Sequence, residues 1–551
     1  MKFIFVSGGV ISGLGKGITT ASIGLLLESH GYKVAPIKCE AYMNVDSGTI
    51  RPQEHGEVFV LDDGMECDQD MGNYERFLNR SLVKDNFVTN GQIYQEIIRK
   101  ERAFEYDGED VEIVPHVPEE MIRRFKLAGK NNKADIVIIE IGGTVGEYQN
   151  QLFIEANRIM KYRDKEDVIH VHLGYLPTPG FLGEMKSKPV QTSVRILSGT
   201  GIMPDFIIGR AEKEIDEKRK ERIAWLCNID KENVISDPDV DSIYKIPLIF
   251  KKQGLDKKIL NKFNLRSKKK DLSSWNKMVD KINNSVKSIK IAIVGKYFAT
   301  GDYVLPDSYI SVIEAIKHGC WANNLQPEFT WISSEDFEKK PELIKTLKDF
   351  NGVVIPQGWG SRGVEGKVSA IKYLRENKIP YLGLCFGMQM AVIEFARNVC
   401  GFKDANSEEV NPKTTHPVIH IMPHQKEYLE KHQYGGTIRL GTYPCIIKAN
   451  SLLHMAYSKS RNDKRSAISD MRISERHRHR YEFNSDYRTR MEEKGLIIAG
   501  TSPDNQLVEA IELSKKIHPF FVGVQFHPEY KSRPLDPHPI FVEFIKAAAK
   551  K

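Results

Sequence analysis

"SGGVISGLGKGITT", residues Ser7 to Thr20, lies between a short apolar run, Lys2 to Val6, and an amphipathic stretch, "GITTASIGLLLESHG", that ends at Gly31. A strand, a glycine-rich turn and a helix in that order read as a phosphate-binding loop of an α/β fold. Backbone amides and the helix N-terminus converge there on an anion. The strict pattern G-x-x-x-x-G-K-[ST] is not met. Aligned on Gly15-Lys16, Val10 stands where the first glycine belongs and Gly17 where the hydroxyl belongs. The physical requirements are present all the same: converging glycines, Lys16 for the outer phosphates, and Thr19 and Thr20 as nearby hydroxyls. The competing reading is an ordinary glycine-rich turn.

At 551 residues the chain exceeds one usual core. Apolar runs alternate with helical stretches through the first half: "KVAPIK" at 33–38, "ADIVIIEIGG" at 134–143, "DVIHVHLGYL" at 167–176 and "PDFIIGR" at 204–210. This is the pattern of a parallel sheet covered by helices. Residues 266–288 are polar and lysine-rich with a helical middle, and read as a linker. The alternation restarts with "SIKIAIVGKY", "NGVVIPQGWG" and "HPFFVGVQFHPE". The expectation is two doubly wound α/β domains, 1–265 and 289–551, the second with polar surface excursions near 404–435 and 457–480.

Lys+Arg 80 against Asp+Glu 73 leaves a net charge of +7, mild for this length, so a nucleic-acid partner is not required and anionic small molecules suit the chain. Seven scattered cysteines without a CxxC pair suggest a reducing compartment and no disulfide framework. The N-terminal apolar run is too short for a signal-peptide core and no run reaches the length of a membrane span, so the expectation is a cytoplasmic chain with no membrane partner.

In "YLGLCFGMQMAVIEFA" a strand from Tyr381 to Leu384 turns into a helix, with Cys385 at the corner. A strained turn of this kind exposes a nucleophile at a helix N-terminus, which favours thiolate. A lone cysteine in apolar surroundings is also common as inert core. The distant "GVQFHPE" supplies the partners: His527 as general base and Glu529 to orient and charge-stabilise the imidazole. Backbone amides around Gly358 in "IPQGWG" are candidates for an oxyanion hole. With Gly383-Leu384-Cys385-Phe386-Gly387 and His527-Pro528-Glu529, the second half resembles the class I glutamine amidotransferases, which implies glutamine hydrolysis through a Cys385 thioester. That family usually has P-G-G where this chain has Pro356-Gln357-Gly358.

With the ammonia-releasing half in view, the first half resembles the synthetase part of the CTP synthase family. The motifs are "GGVISGLGKG", "YMNVDSGT" at 42–49, "HGEVFVLDDG" at 55–64, "DMGNYERF" at 70–77, "EIGGTVGE" at 140–147, "GEMKSKPVQTSV" at 183–194 and "DVDSIYKIP" at 239–247, with "RGVEGK", "DANSEE" and "RHRHRYEFN" in the second half. The resemblance implies a P-loop-type amidoligase in which ATP phosphorylates the 4-oxygen of UTP and ammonia displaces phosphate to give CTP.

Phosphoryl transfer needs charge neutralisation, which Lys16 and Lys38 fit. By family position Asp70 and Glu140 hold Mg²⁺, Gly13, Leu14, Gly15, Lys16, Gly17, Ile18 and Asp70 bind ATP, and Pro238, Asp239 and Val240 hold its adenine. UTP or CTP would meet Ser12, Glu147, Tyr148, Gln149, Lys186, Ser187, Lys188, Pro189, Val190, Gln191 and Arg222. Glutamine would meet Gly358, Phe386, Gly387, Met388, Gln389, Glu409 and Arg480, the last pairing its α-carboxylate. His55 and its loop are candidates for the ammonia entrance.

Family precedent adds CTP as inhibitor, GTP as activator, a homotetramer and filaments. Glu40 and Gln149 depart from the usual acids at the nucleotide and feedback site. The alternatives are a divergent paralogue acting on a related nucleotide or retained as a regulatory or assembly subunit, a partition-type ATPase, and another amidoligase such as the cobyrinate amidases. The fused Cys385 site argues against the ATPase, and the "KSKPVQ" loop against the other amidoligases.

Overall fold

The computed structural model describes all residues except 166, 181, 182, 270, 298, 301, 302, 305, 423, 424, 432, 433 and 461–468, so parts of the two polar excursions and of the linker lie outside the described residues. The chain forms two compact units. One comprises Met1–Ser47 and Asp70–Val279, the other Gly48–Gln69 and Asp280–Lys551. Residues 48–69, which precede most of the first unit in sequence, thus pack with the second.

The first unit is built on seven strands: β1 (Lys2–Gly8), β2 (Val34–Glu40), β3 (Phe87–Thr89), β4 (Ile136–Ile141), β5 (Val168–Leu176), β6 (Phe206–Ala211) and β7 (Val234–Pro238). Their spatial order is β3-β2-β4-β1-β5-β6-β7, and every pair is parallel. Both faces of such a sheet are covered, so its strands read as continuous apolar runs instead of alternating ones. All six residues of β4, "IVIIEI", are buried. Glu140 is therefore a carboxylate in a central strand, a costly position without compensating charge. Three helices carry the site of this unit and its flank: α1 (Lys16–Ser29), α2 (Asp70–Leu78) and α3 (Lys188–Gly199).

The main sheet of the second unit has nine strands: β8 (Lys287–Gly295), β9 (Leu325–Ser333), β10 (Gly352–Ile355), β11 (Tyr381–Leu384), β12 (Arg439–Ile447), β13 (Met471–His479), β14 (Leu496–Thr501), β15 (Val508–Leu513) and β16 (Phe521–Val524). The order is β9-β8-β10-β11-β16-β15-β14-β12-β13. Strands β9 to β16 in that order are parallel, and the four beyond β16 add antiparallel. The period of two is visible in the packing: Val353 and Ile355 enter one core, Val354, Leu382 and Leu384 the other. Helix α4 (Phe386–Asn398) follows β11. The antiparallel extension was not anticipated from the sequence. In both units the chemistry-bearing loops leave the carboxyl ends of parallel strands, where open α/β sheets hold ligands.

Candidate functional site

The glycine-rich loop joins β1 to α1 and holds Gly13 and Gly15 in the left-handed region, φ +74° and +89°. Val10, at the position of the missing glycine, adopts the same hand with φ +85° and is exposed. The loop thus keeps the backbone shape that the glycine would have provided, with a β-branched residue in a strained conformation. Gly17 has a different explanation. A Cβ there would meet Asp70 Oδ1 at 2.0 Å, so a side-chain carboxylate occupies the space of the motif's hydroxyl.

Lys16 is the first residue of α1, is buried, and donates from Nζ to Gly143 O at 2.8 Å. Burial lowers its pKa, against the opposing pull of Glu140. Lys38, near the end of β2, donates to Asp70 Oδ2 at 2.6 Å and to Glu140 Oε1 at 2.8 Å, with Glu40 Oε1 at 3.4 Å. The longer arm of Glu40 therefore reaches the same ammonium. Tyr74 donates to the other oxygen of Glu140, whose pKa is raised by burial against the lowering effect of Lys38. Asp70 and Glu140 converge on the Lys38 ammonium, and their carboxylate oxygens are hard donors of the kind that Mg²⁺ takes.

The loop before α3 is held by Lys186 N donating to Pro177 O at 2.9 Å and by Gln191 Nε2 donating to Ser187 Oγ at 2.9 Å. Ser187 is the N-cap residue of α3, Lys188 and Pro189 begin its first turn, and Val190 is buried. Lys186 also pairs with Glu184 at 2.6 Å. Arg222 is exposed on the helix Glu217–Cys227 and makes none of the described hydrogen bonds or ion pairs. Arg219, one turn earlier, is the residue that touches the loop, donating to Met185 O at 3.0 Å and Glu184 Oε1 at 3.4 Å. Sequence reasoning missed it, because a run of charges on one helix does not reveal which of them turns inward.

Glu147 closes its own turn by accepting from Thr144 N and Oγ1 at 2.9 and 2.7 Å, and Gln149 O accepts from Asn90. Tyr148 is exposed, as are Ser12 and Gly13, while Leu14 is buried. Asp239 pairs with Arg210 at 2.7 Å, and Arg210 also donates to Pro238 O at 3.0 Å, which fixes the turn that leads to Val240.

A buried polar chain beneath the phosphate loop was also missed. Asn157 donates to His170 Nδ1, so His170 Nε2–H donates to Ser7 Oγ at 2.7 Å. Ser7 donates to His172 Nδ1 at 2.9 Å, His172 Nε2–H to Ser193 Oγ at 2.9 Å, and Ser193 to Val190 O at 3.0 Å. One direction satisfies both imidazoles and both serine hydroxyls with the rings neutral, while Asn157 Oδ1 is left buried without a donor. Burial accordingly lowers His170 far below its usual value and His172 to about 3.

In the second unit Cys385 occupies the N-cap position of α4 with φ +50° and ψ −99°, the strained corner expected of an exposed nucleophile. Its Sγ accepts from Gln525 Nε2 at 3.5 Å. His527 follows β16, and its Nδ1–H donates to Glu529 Oε1 at 2.7 Å. Nε2 is buried and makes none of the described hydrogen bonds, with Cys385 near enough to act on the ring. Burial disfavours the imidazolium, but Glu529 and Cys385 outweigh it and raise the ring to about 10.

The loop after β10 is held from several sides. Tyr297 OH accepts from Trp359 N at 2.9 Å, Glu409 accepts from Gly360 N at 2.6 Å, and Lys296 Nζ donates to Gly360 O at 2.8 Å and to Trp359 O. A Cβ on Gly358 would press on Lys296 Cε at 2.8 Å. Gln357 is not among the residues of positive φ, so its replacement of a glycine imposes no left-handed strain.

Gly358, Cys385, Phe386, Gln389, Glu409, Arg480 and His527 line one narrow cavity. Arg480 donates to Thr437 at 3.0 Å and leaves Nη1 buried without a partner, while Gln389 donates to Tyr481 O at 2.8 Å. Gly387 and Met388 do not line this cavity; Met388 is fully buried in the core. The run "RHRHR" is no free basic patch: Arg476 pairs with Asp62 and Arg478 with Glu66, and His477 and His479 are buried.

Comparison with known proteins gives a match of residues 2–265 to the CTP synthase N-terminus family and of residues 304–547 to the class-I glutamine amidotransferase family. The chain is 48% identical over 550 residues to a CTP synthase of Carboxydothermus hydrogenoformans, covering 100% of this chain and 99% of that protein. It is 46% identical to a CTP synthase of Prochlorococcus marinus, covering 99% and 95%. Among solved structures it is similar to the Trypanosoma brucei CTPS glutaminase domain with bound acivicin, at 38% identity, TM-score 0.41, 48% of this chain and 94% of that one.

Proposed function

The chain belongs to the CTP synthase family, and from that premise we propose how its own residues divide the work of making CTP from UTP, ATP and glutamine-derived ammonia. The observation that carries the assignment is the presence on one chain of two differently built sites: Lys38 clasped by Asp70 and Glu140, and Cys385 sharing a cavity with a His527–Glu529 pair. The expected division into 1–265 for the synthetase, 266–288 as linker and 289–551 for the glutaminase is shifted by the packing: the first compact unit runs on to Val279, with Trp275 buried and donating to Tyr244 O at 2.9 Å, and residues 48–69 pack in the second.

In the synthetase, the amides of Gly13 to Ile18 and Lys16 hold the ATP phosphates while Lys38 meets the transferring group. Asp70 and Glu140 would hold Mg²⁺, which would neutralise phosphate charge. The 4-oxygen of UTP attacks the γ-phosphorus and ADP leaves; ammonia then attacks C4 and phosphate leaves. Lys186, Ser187, Lys188 and Gln191 bind the UTP triphosphate, supported by Arg219 behind the loop.

In the glutaminase, Cys385 Sγ attacks the carboxamide carbon and His527 delivers a proton to the departing nitrogen, giving a thioester and ammonia. The backbone amide of Gly358 receives the oxyanion. Arg480 Nη1 and Glu409 take the α-carboxylate and α-ammonium of glutamine. A cavity of about 700 Å³ lined by Tyr297, Trp359, Arg362 and Arg478 shares a wall with this site and supports GTP as activator, since it offers aromatic stacking and guanidinium groups.

A homotetramer, filaments and inhibition by CTP rest on family precedent. Seven cysteines without a disulfide agree with a cytoplasmic location, and no described helix is long and apolar enough to cross a membrane. The test is a paired assay: Cys385→Ala is expected to lose glutamine-dependent CTP formation and keep the ammonia-dependent reaction. Loss of both counts against the division.

A further inference from the structure

Gln357 stands where the amidotransferase pattern has a glycine, and three observations give its side chain a use. It lines the same cavity as Cys385 and His527. Its Nε2 donates to Glu57 Oε1 at 3.3 Å, and Glu57 is itself fixed by accepting from Ser311 N at 3.0 Å through its other oxygen. The carboxylate also settles which way the amide points, because only the NH₂ end is tolerated against it. The opposite end, Oε1, is consequently presented away from Glu57, and it is buried with no hydrogen-bond donor. A buried carbonyl without a donor is unfavourable and rare, and one at a reaction cavity calls for a ligand N–H or O–H.

The backbone is held independently: Gln357 O accepts from Tyr309 OH at 3.3 Å, and the following residues are clamped by Tyr297, Glu409 and Lys296. The side chain is thus spare to the folding of the loop. What enters this cavity during turnover is a primary carboxamide, which has two N–H donors on the nitrogen that leaves.

We propose that Gln357 Oε1 is a substrate contact of the glutaminase, accepting a hydrogen bond from the carboxamide N–H of glutamine and holding the nitrogen as it departs. The inference rests on the reading of Cys385 as nucleophile. The Sγ–C bond forms, the C–N bond breaks and the proton on His527 passes to nitrogen; Gln357 exchanges no proton and orients the leaving group. It thereby selects amides over esters, because the methoxy oxygen of an ester has no hydrogen to donate.

The experiment compares hydrolysis of glutamine with that of glutamate γ-methyl ester by the full-length enzyme, in the natural protein and in Gln357→Met, Gln357→Gly and Cys385→Ala. Gln357→Met keeps the side-chain length and removes the acceptor. The ratio of kcat/KM for amide to ester is expected to fall by about 3- to 10-fold, the size of one hydrogen bond between neutral groups. Gln357→Gly, which restores the glycine of the family pattern, is expected to move the ratio the same way. Equal losses with both substrates would assign Gln357 a merely structural role and overturn the proposal, as would an unchanged ratio in both variants. Glutamine hydrolysis surviving in Cys385→Ala would overturn the nucleophile reading beneath it, a result independent of residue 357.

Discussion

Gly17 and Asp70 share one volume: a Cβ on the glycine would stand 2.0 Å from the aspartate Oδ1. The same carboxylate takes the Lys38 ammonium at 2.6 Å. Gly17→Ser would restore the hydroxyl position of the phosphate-loop motif and at the same time push Asp70 off Lys38. Displacements of this size at a reacting centre cost on the order of 100-fold in rate. Ammonia-dependent CTP formation is therefore expected to fall by about that factor, with hydrolysis of glutamine retained. Full synthetase activity in Gly17→Ser would remove Asp70 from the cation and phosphate machinery.

Val10 at φ +85° is a strained β-branched residue on the surface. Strain of this kind costs about 1–3 kcal/mol, and the greater freedom of glycine in the unfolded chain returns about 0.5–1 kcal/mol of it. Val10→Gly is expected to raise the unfolding temperature of the first unit slightly, by differential scanning calorimetry. A fall would show that the valine earns its place by packing.

The hydrogen-bonded chain through His170, Ser7 and His172 requires both rings neutral. His172 refuses a proton until about pH 3, whereas an ordinary imidazole accepts one near 6.5. Between those values the unfolded chain binds the proton and the folded chain does not. The contribution is complete above about pH 6.5 and is lost on acidification at up to about 1.4 kcal/mol per pH unit. Lys16, whose charge also disfavours the His172 imidazolium, acts in the same sense. Urea unfolding from pH 7.5 to pH 5 is expected to show this slope in the natural protein and a shallower one in His172→Gln. Identical slopes would mean that His172 is not buried neutral.

Arg219 braces the loop before α3 through Met185 O and Glu184. Arg219→Ala is expected to raise the KM for UTP severalfold with kcat nearly unchanged, since the loop loses order without losing a phosphate ligand. Arg222→Ala, on an exposed side chain, is expected to change it less. The reverse ranking would return the nucleotide contact to Arg222.

The parallel sheets and the Cys385 corner were legible because each rests on local sequence: apolar runs of strand length, and a strand joined to a helix with the nucleophile between them. The Gly17 substitution and the Val10 substitution were visible as departures but not as causes. Their reasons lie in Asp70, more than fifty positions away, and in a backbone angle. The histidines of "DVIHVHLGYL" read as strand residues, and nothing local shows that Ser7 and Ser193 complete a polar chain through them. The antiparallel edge beyond β16 escaped notice because its outermost strand, β13, lies inside the stretch 457–480 that reads as a polar surface excursion; Arg476, His477 and His479 are in fact buried there.

Residues 48–69 belong to the second compact unit, while Ser47 and Asp70 on either side belong to the first. Phe59, Val60 and Leu61 in that stretch are fully buried, Tyr530 OH donates to Val58 O at 3.0 Å, and Arg476 and Arg478 are neutralised by Asp62 and Glu66. The gene therefore cannot be divided at the lysine-rich linker into two freely expressible halves. A fragment ending at residue 265 would carry an orphaned hydrophobic insert, and its complement would keep two stranded guanidinium groups with no acid to meet them. Any dissection that respects the packing has to graft residues 48–69 onto the C-terminal piece and close the gap between Ser47 and Asp70 with a new turn.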